Sequence, residues 1–252
     1  VTTWGGSYGG DSSSVQAELV NVDTIYANQY AFVAVKTDGS LVCWGDLNSG
    51  ANCPAGLTNP KSIVSNQYAF AAITQTDTVV AWGNSMRGGT SPSGTFEQIY
   101  GYYNGRAFAG IKTGGSLFSW GENLRGGDNA YPVASGFSGA TIYGNAYAFV
   151  VVPTSGQTKS WGDSSNGGSG CGGRYSIGTV VATDKSFAML HKNTGQLFYC
   201  GIYTPDSSLN TPLSSGITDI FASKNSVIAI NDGTKKAYVY GTSGYGGDFC
   251  ST

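Results

Sequence analysis

Charge is scarce in this sequence. Asp, Glu, Lys and Arg make up 11% of its 252 residues, where an ordinary domain carries about 25%. The net charge of −2 provides no basic face for phosphate contacts, which excludes nucleic acid as a partner. Histidine is scarcer still. His191 stands alone at a strand end, before the turn Asn193-Thr194-Gly195, so neither a catalytic triad nor a histidine-based zinc cluster can be assembled. The five cysteines include no CxxC pair. No EF-hand-like acidic loop occurs, and no Gly-rich loop is followed by Lys-Ser/Thr. These gaps predict no cofactor and no metal. No apolar run reaches the ~18–20 residues of a membrane-spanning helix, so no membrane insertion is expected. No signal-peptide pattern opens the chain, which suits a mature, processed chain or a piece of a longer one. Amphipathic helical periodicity is absent as well.

What is plentiful is glycine, 39 residues of it, and repetition. The stretch YAFVAVKTDGSLVCWG (Tyr30–Gly45) returns as YAFAAITQTDTVVAWG from Tyr68, RAFAGIKTGGSLFSWG from Arg106 and YAFVVVPTSGQTKSWG from Tyr147. Fainter copies start at Lys185 and Asn225. Aligned on the aromatic-Gly step, Trp4, Trp44, Trp82, Trp120, Trp161, Cys200 and Tyr240 follow one another at 40, 38, 38, 41, 39 and 40 residues. Each unit reads as a short strand such as DTIYAN, an alternating strand of the AFVAV type, a turn, and a strand closing in Trp-Gly. Asp38-Gly39, Gly114-Gly115 and Asp232-Gly233 supply the positive-φ residues of tight hairpins. Gly-rich loops follow the Trp-Gly steps.

An all-β repeat of about 40 residues predicts a β-propeller, whose small twisted sheets bury their faces only against one another. Phe32, Phe70, Phe108, Phe149, Phe187 and Val227 share one slot and, with the Trp positions, are expected between blades. Ala31, Ala34, Ala69, Ala72, Ala107 and Gly110 are the small residues that let inner strands crowd together. The whole chain, 1–252, reads as a single domain with repeats ending near 5, 45, 83, 121, 162, 201 and 241. Six repeats are complete and an extra Trp-Gly strand precedes them. Six blades, seven blades, and a slice of a longer array all fit this phase; the closed propeller is favoured over the open array.

The repeats AFVAVKTDGSLVCWGD and AFAAITQTDTVVAWGN resemble the hairpin-plus-Trp-Gly repeat of the regulator-of-chromosome-condensation superfamily. Within it they are most similar to the bacterial propeller-type β-lactamase inhibitory proteins and to related surface repeat proteins. The resemblance implies a propeller, usually of seven blades. It carries no catalytic residue to any position here.

Carboxylates follow the Trp-Gly step at Asp46, Glu122 and Asp163, with Asn84 in the same slot. They read as acceptors for backbone N–H groups in Gly-rich turns rather than as acid/base pairs. Cys43, Cys53, Cys171, Cys200 and Cys250 are candidate disulfide cysteines, and loop cysteines in a repeat array point to an oxidising compartment. Cys43–Cys53 would make a local clip, but the sequence leaves the pairing open, and an odd count leaves one cysteine without a partner. Loop residues Tyr8, Tyr102, Tyr103, Tyr131, Tyr175, Tyr203 and Tyr245, with Arg87 and Arg125 in one slot of consecutive units, form the candidate binding surface. No Asn-x-Ser/Thr sequon is present. The expected function is non-enzymatic: an extracellular or cell-surface propeller that presents Gly/Tyr/Ser-rich loops to a protein partner or to copies of itself. A carbohydrate-binding lectin is the alternative, with a glycan as partner. An inhibitor of a secreted enzyme is the second alternative.

Overall fold

The structure, a computed structural model, describes residues 1–6, 9–128, 135–202 and 215–241. Tyr8, Tyr131, Tyr203, Tyr245 and Cys250, expected above in the binding surface and among the disulfide cysteines, lie outside the described residues. Two compact units divide the chain, Val1–Ser138 and Gly139–Thr252.

The first unit holds three blades, each an antiparallel sheet ordered first-middle-last. Blade 1 is β1 (Val22–Ala27), β2 (Ala31–Lys36) and β3 (Leu41–Gly45). Blade 2 is β4 (Ser62–Ser65), β5 (Ala69–Ile73) and β6 (Val79–Gly83). Blade 3 is β7 (Phe96–Gly101), β8 (Ala107–Lys112) and β9 (Ser116–Gly121). In the second unit, blade 4 comprises β10 (Thr141–Gly144), β11 (Ala148–Val152) and β12 (Lys159–Gly162). Blade 5 comprises β13 (Ile177–Ala182), β14 (Ser186–His191) and β15 (Leu197–Gly201). Blade 6 comprises β16 (Asp219–Ala222), β17 (Ser226–Asn231) and β18 (Lys236–Gly241). Single 3-10 turns follow the third strand of blades 1 to 4, at Leu47–Ser49, Ser85–Arg87, Asn123–Arg125 and Ser164–Asn166.

Register explains the repeat. The Phe slot of every middle strand pairs with the aromatic slot of the third: Phe32 with Trp44, Phe70 with Trp82, Phe108 with Trp120, Phe149 with Trp161. Cross-strand pairs sit side by side on one sheet face, so the rings stack, with centroids 5.1 to 5.5 Å apart. Phe70, Phe108, Phe149 and Phe187 are fully or almost fully buried. Phe32 is only half-buried.

In blades 2 and 3 the neighbouring blade completes the stack. Gly50, just after the blade 1 turn, has a φ of 108°, and its carbonyl accepts the Trp82 indole N–H at 3.1 Å. A Cβ on Gly50 would lie 2.8 Å from the Phe70 ring. Gly88 repeats the arrangement toward Trp120 (3.0 Å) and Phe108. Gly9 repeats it toward Trp44 (3.0 Å) and Phe32. Glycine is required twice over here, for the left-handed conformation and for the close approach of the ring. One blade thus grips the next through a Phe-Trp pair and a bare backbone.

The cores run between sheets within each unit. Ala31, Val33, Cys43 and Ile63 pack with Phe70 and Trp82, while Ala71, Val79 and Ala81 pack with Phe96, Ile99 and Trp120. In the second unit Ala148, Val150 and Cys171 meet Phe187 and Met189. Leu190 and Leu197 meet Ile220 and Val227. Gly110 is small because a Cβ there would lie 2.8 Å from the Phe96 ring. Leu19 folds over Val42 and Trp44 and covers the outer face of blade 1.

Two expectations need correction. Trp4-Gly5 forms no strand, and Trp4 is 85% exposed. Each other Trp stacks on the Phe of the middle strand in its own sheet, and Trp4 has no such partner among the described residues. In the blade 6 hairpin the positive φ falls at Lys235 (57°), not Gly233. That turn is one residue longer than the blade 1 turn, and Asn231 Oδ1 accepts the Thr234 N–H within it.

Candidate interaction face

Antiparallel order brings three segments of every blade to one end: the close of the first strand, the start of the middle strand, and the turn after the third. Asparagine organises this end. Asn66 Oδ1 accepts the N–H groups of Tyr68 and Ala69 at 2.9 Å, an Asx turn that reverses the chain into β5. Its Nδ2 donates to the Arg87 carbonyl at 2.7 Å, tying that reversal to the 3-10 turn 21 residues on. Asn28 makes the same three bonds in blade 1 and Asn145 in blade 4. Thr183 and Ser223 make weaker versions, accepting N–H groups through their hydroxyls.

On this frame the first unit displays a row of flat groups. Tyr30 stacks on Tyr68 with centroids 5.2 Å apart. The Arg87 guanidinium lies 4.2 Å from the Tyr68 ring centre, and that of Arg106 lies 5.7 Å away. Gln67 joins the row by donating to Gln29 and accepting from Arg106 Nε at 3.2 Å. Glu122 gathers the cations, with Arg106, Arg125 and Arg87 at 3.5, 3.7 and 3.9 Å. These are long pairs between partly exposed groups, so each contributes little stability, up to about 1 kcal/mol. Their effect is to hold three guanidinium planes in one place.

The four carboxylate-slot residues therefore divide. Asp46 accepts from Asn48 N–H and Ser49 Oγ, and Asp163 accepts from the Ser165 and Asn166 N–H groups, as turn carboxylates do. Glu122 departs from the expected role: it makes no cap bond to its turn and faces the arginines. Asn84 makes no cap bond either.

The same turns push apolar side chains outward. Leu47, Met86 and Leu124 are 66%, 76% and 80% exposed on three consecutive blades. Tyr102 and Tyr103 lie at the same end, in the β7–β8 turn. Gly101 pairs with Phe108 as Ser65 does with Phe70, so the tyrosines are a two-residue insertion absent from blades 1 and 2. Their rings touch at 4.7 Å, and Tyr103 is exposed.

Of the sequence-predicted surface, Arg87, Arg125, Tyr102 and Tyr103 thus share one end of the first unit. Tyr175 does not belong with them: it precedes β13, at the opposite end of its own blade, in the second unit. Leu47, Met86, Leu124, Tyr30, Tyr68, Arg106 and Asn66 were not singled out from sequence. Cys43–Cys53 is bonded as expected, and Cys171 bonds Cys200. His191 Nδ1 accepts the Asn193 and Thr194 N–H groups and so closes its own hairpin turn. Among the described residues no group of three or more His, Cys, Asp or Glu side chains is placed to hold a metal, and no helix is long and apolar enough to cross a membrane.

No protein-family model and no curated protein matches the chain. Solved structures do. The ectodomain of the receptor kinase CR4 from Physcomitrella patens is 15% identical with a TM-score of 0.53, over 88% of this chain and 64% of that one. Prp20p from Saccharomyces cerevisiae is 12% identical with a TM-score of 0.55, over 91% of this chain and 74% of that one. The same yeast protein, RCC1 (Prp20), bound to Kap60 gives 13% identity and a TM-score of 0.52, over 91% of this chain and 72% of that one. The fold is a β-propeller. At these identities the likeness is one of fold alone, and the chain spans less than two thirds of the CR4 ectodomain.

Proposed function

We propose that the chain is a non-enzymatic protein-interaction scaffold, a single propeller domain over 1–252, whose binding face is the strand-end surface of its first three blades. One observation carries this: Leu47, Met86 and Leu124 are exposed in sequence-distant but structurally repeated turns, beside an ordered row of tyrosine and arginine. Arg, Met and aromatic groups are enriched at protein interfaces, and prearranged side chains lower the entropy lost on binding. Protein partners are also known among the structural neighbours: Prp20p has binding properties toward Gsp1p and histones, and it is bound by Kap60. Two disulfides suit an extracellular or cell-surface setting. An inhibitor of a secreted enzyme would use the same face, in keeping with the resemblance to the inhibitory propellers. A photo-crosslinker at Met86 should capture a protein from the native medium, and Leu47→Asp with Leu124→Asp should abolish capture without changing the melting temperature. Unchanged capture by that variant, or turnover of a small substrate abolished by it, contradicts the proposal.

Self-assembly is supported by a separate feature. Ile228 is 41% exposed, whereas its counterparts Val33, Ala71, Ala109, Val150 and Ala188 are fully buried. Its cross-strand partner Phe221 is 57% exposed. A second copy of the chain, supplying the sheet that this slot receives elsewhere, is the occupant that fits.

A further inference from the structure

Between blades 4 and 5 a cleft opens at the hairpin end of the sheets. The β11–β12 turn forms one wall and residues 174–177 with the β14–β15 turn form the other. Its volume is about 160 Å³, below the ~300–1,000 Å³ of drug-sized pockets but enough for one charged ring or group.

Two cations line it, Arg174 and Lys192, and no carboxylate does. Among the described residues neither makes an ion pair, as is also true of Lys112, Lys159, Lys185 and Lys236. Arg174 is held in advance. Its N–H donates to Thr158 Oγ1 at 3.0 Å and its carbonyl accepts the Thr158 N–H at 2.8 Å. Thr158 Oγ1 in turn donates to the Cys171 carbonyl, and Cys171 is bonded to Cys200 in β15. The guanidinium lies 4.7 Å from the Phe198 ring centre. Its Nη2 donates to the Gly170 carbonyl at 3.4 Å and its Nε–H is buried, so the donor capacity left for a ligand lies on the remaining N–H groups of the guanidinium. Ser176, at a φ of 52°, holds the turn beside it, and its carbonyl accepts the Lys192 N–H. Tyr175 stands 58% exposed at the mouth, among the hydroxyls of Thr154, Ser155 and Ser176.

From this arrangement we infer that the blade 4–5 cleft binds an acidic saccharide, one sugar ring bearing a carboxylate or sulfate per site. The two cations take the oxyanion, the hydroxyls and Asn193 take ring hydroxyls, and Tyr175 offers a flat face for the sugar's C–H groups. An acidic peptide would satisfy the cations but not use the hydroxyl-rich walls. The cleft uses none of the strand-end residues, so the two proposals stand or fall separately.

Titration calorimetry of the whole chain tests it with three probes: a heparin-derived hexasaccharide, a trigalacturonate and neutral chitotriose. A charged probe should bind and chitotriose should not. Binding to the heparin fragment alone identifies the anion as sulfate; binding to both acidic probes includes carboxylate. Lys192→Ala should weaken binding about tenfold, in line with loss of one charge-assisted contact. Arg174→Ala should weaken it further, and Tyr175→Ala several-fold, with Leu47→Asp having no effect. Lys192→Ala, an exposed change, keeps the test decisive if Arg174→Ala fails to fold. No binding of either acidic probe, equal binding of chitotriose, unchanged binding by Lys192→Ala, or tighter binding of a hexaglutamate peptide overturns the proposal.

Discussion

At the scale of single residues, the asparagine that ends the first strand does more than its polarity suggests. Asn66 is fully buried and satisfies two N–H groups and one carbonyl. Asn66→Ala leaves all three without that partner and should lower stability by about 2–4 kcal/mol in urea unfolding, well beyond a neighbouring Gln67→Ala. Tyr240 is a second residue with a consequence. Burial, and then the neighbouring Tyr238, push its phenol up to about 12. Above pH 10 the unfolded chain releases this proton while the folded chain keeps it, so the unfolded state binds fewer protons and stability falls from about pH 10 to 12. Urea midpoints at pH 8 and pH 11 should differ by less in Tyr240→Phe than in the parent protein. The apolar residues of the blades were legible because burial imposes a strict spacing. Asn66 was not, since its partner lies 21 residues away and hydrogen bonding leaves no periodic trace. Leu47 hid for another reason: it follows Trp44 by three residues, while Met86 and Leu124 follow their tryptophans by four, so no alignment column displays them.

The element that matters is the blade with its following turn. Three strands come from alternation and hairpin residues, and all six sheets appear in the order that the repeats predict. What the repeats did not reveal is that the Gly after the 3-10 turns of blades 1, 2 and 4 packs against the Phe of the next blade. Its conformation and its carbonyl are visible only once two sheets are stacked. Gly88→Ala should therefore destabilise by about 1–3 kcal/mol through overpacking against Phe108, and more than Gly56→Ala, where a Cβ meets nothing within 4 Å. Both glycines have positive φ, so the pair isolates the contact from the backbone strain. The turn's exposed side is free to vary, which is how Glu122 came to gather arginines where Asp46 and Asp163 cap their turns. Slot identity in sequence indicated a common role, which Asp46 and Asp163 fill and Glu122 and Asn84 do not.

For the whole molecule, identity of fold was readable because every blade repeats one cross-strand register, whereas the proposed binding surface lies where that rule no longer acts. The Ile228–Phe221 face is a case in point: its residues look like core in sequence and are 41% and 57% exposed. Sedimentation velocity should show concentration-dependent association that Ile228→Asp removes; a monomer at every concentration would contradict self-assembly. The central claim is that the repeated aromatic stabilises by inserting between neighbouring blades. Two tryptophans test it directly, since Trp82 is 7% exposed and bonded to Gly50 while Trp4 is 85% exposed. The measurement is the free energy of urea unfolding of Trp82→Ala and Trp4→Ala. Trp82→Ala should lose about 3–5 kcal/mol and Trp4→Ala less than about 0.5 kcal/mol; equal losses would contradict the account.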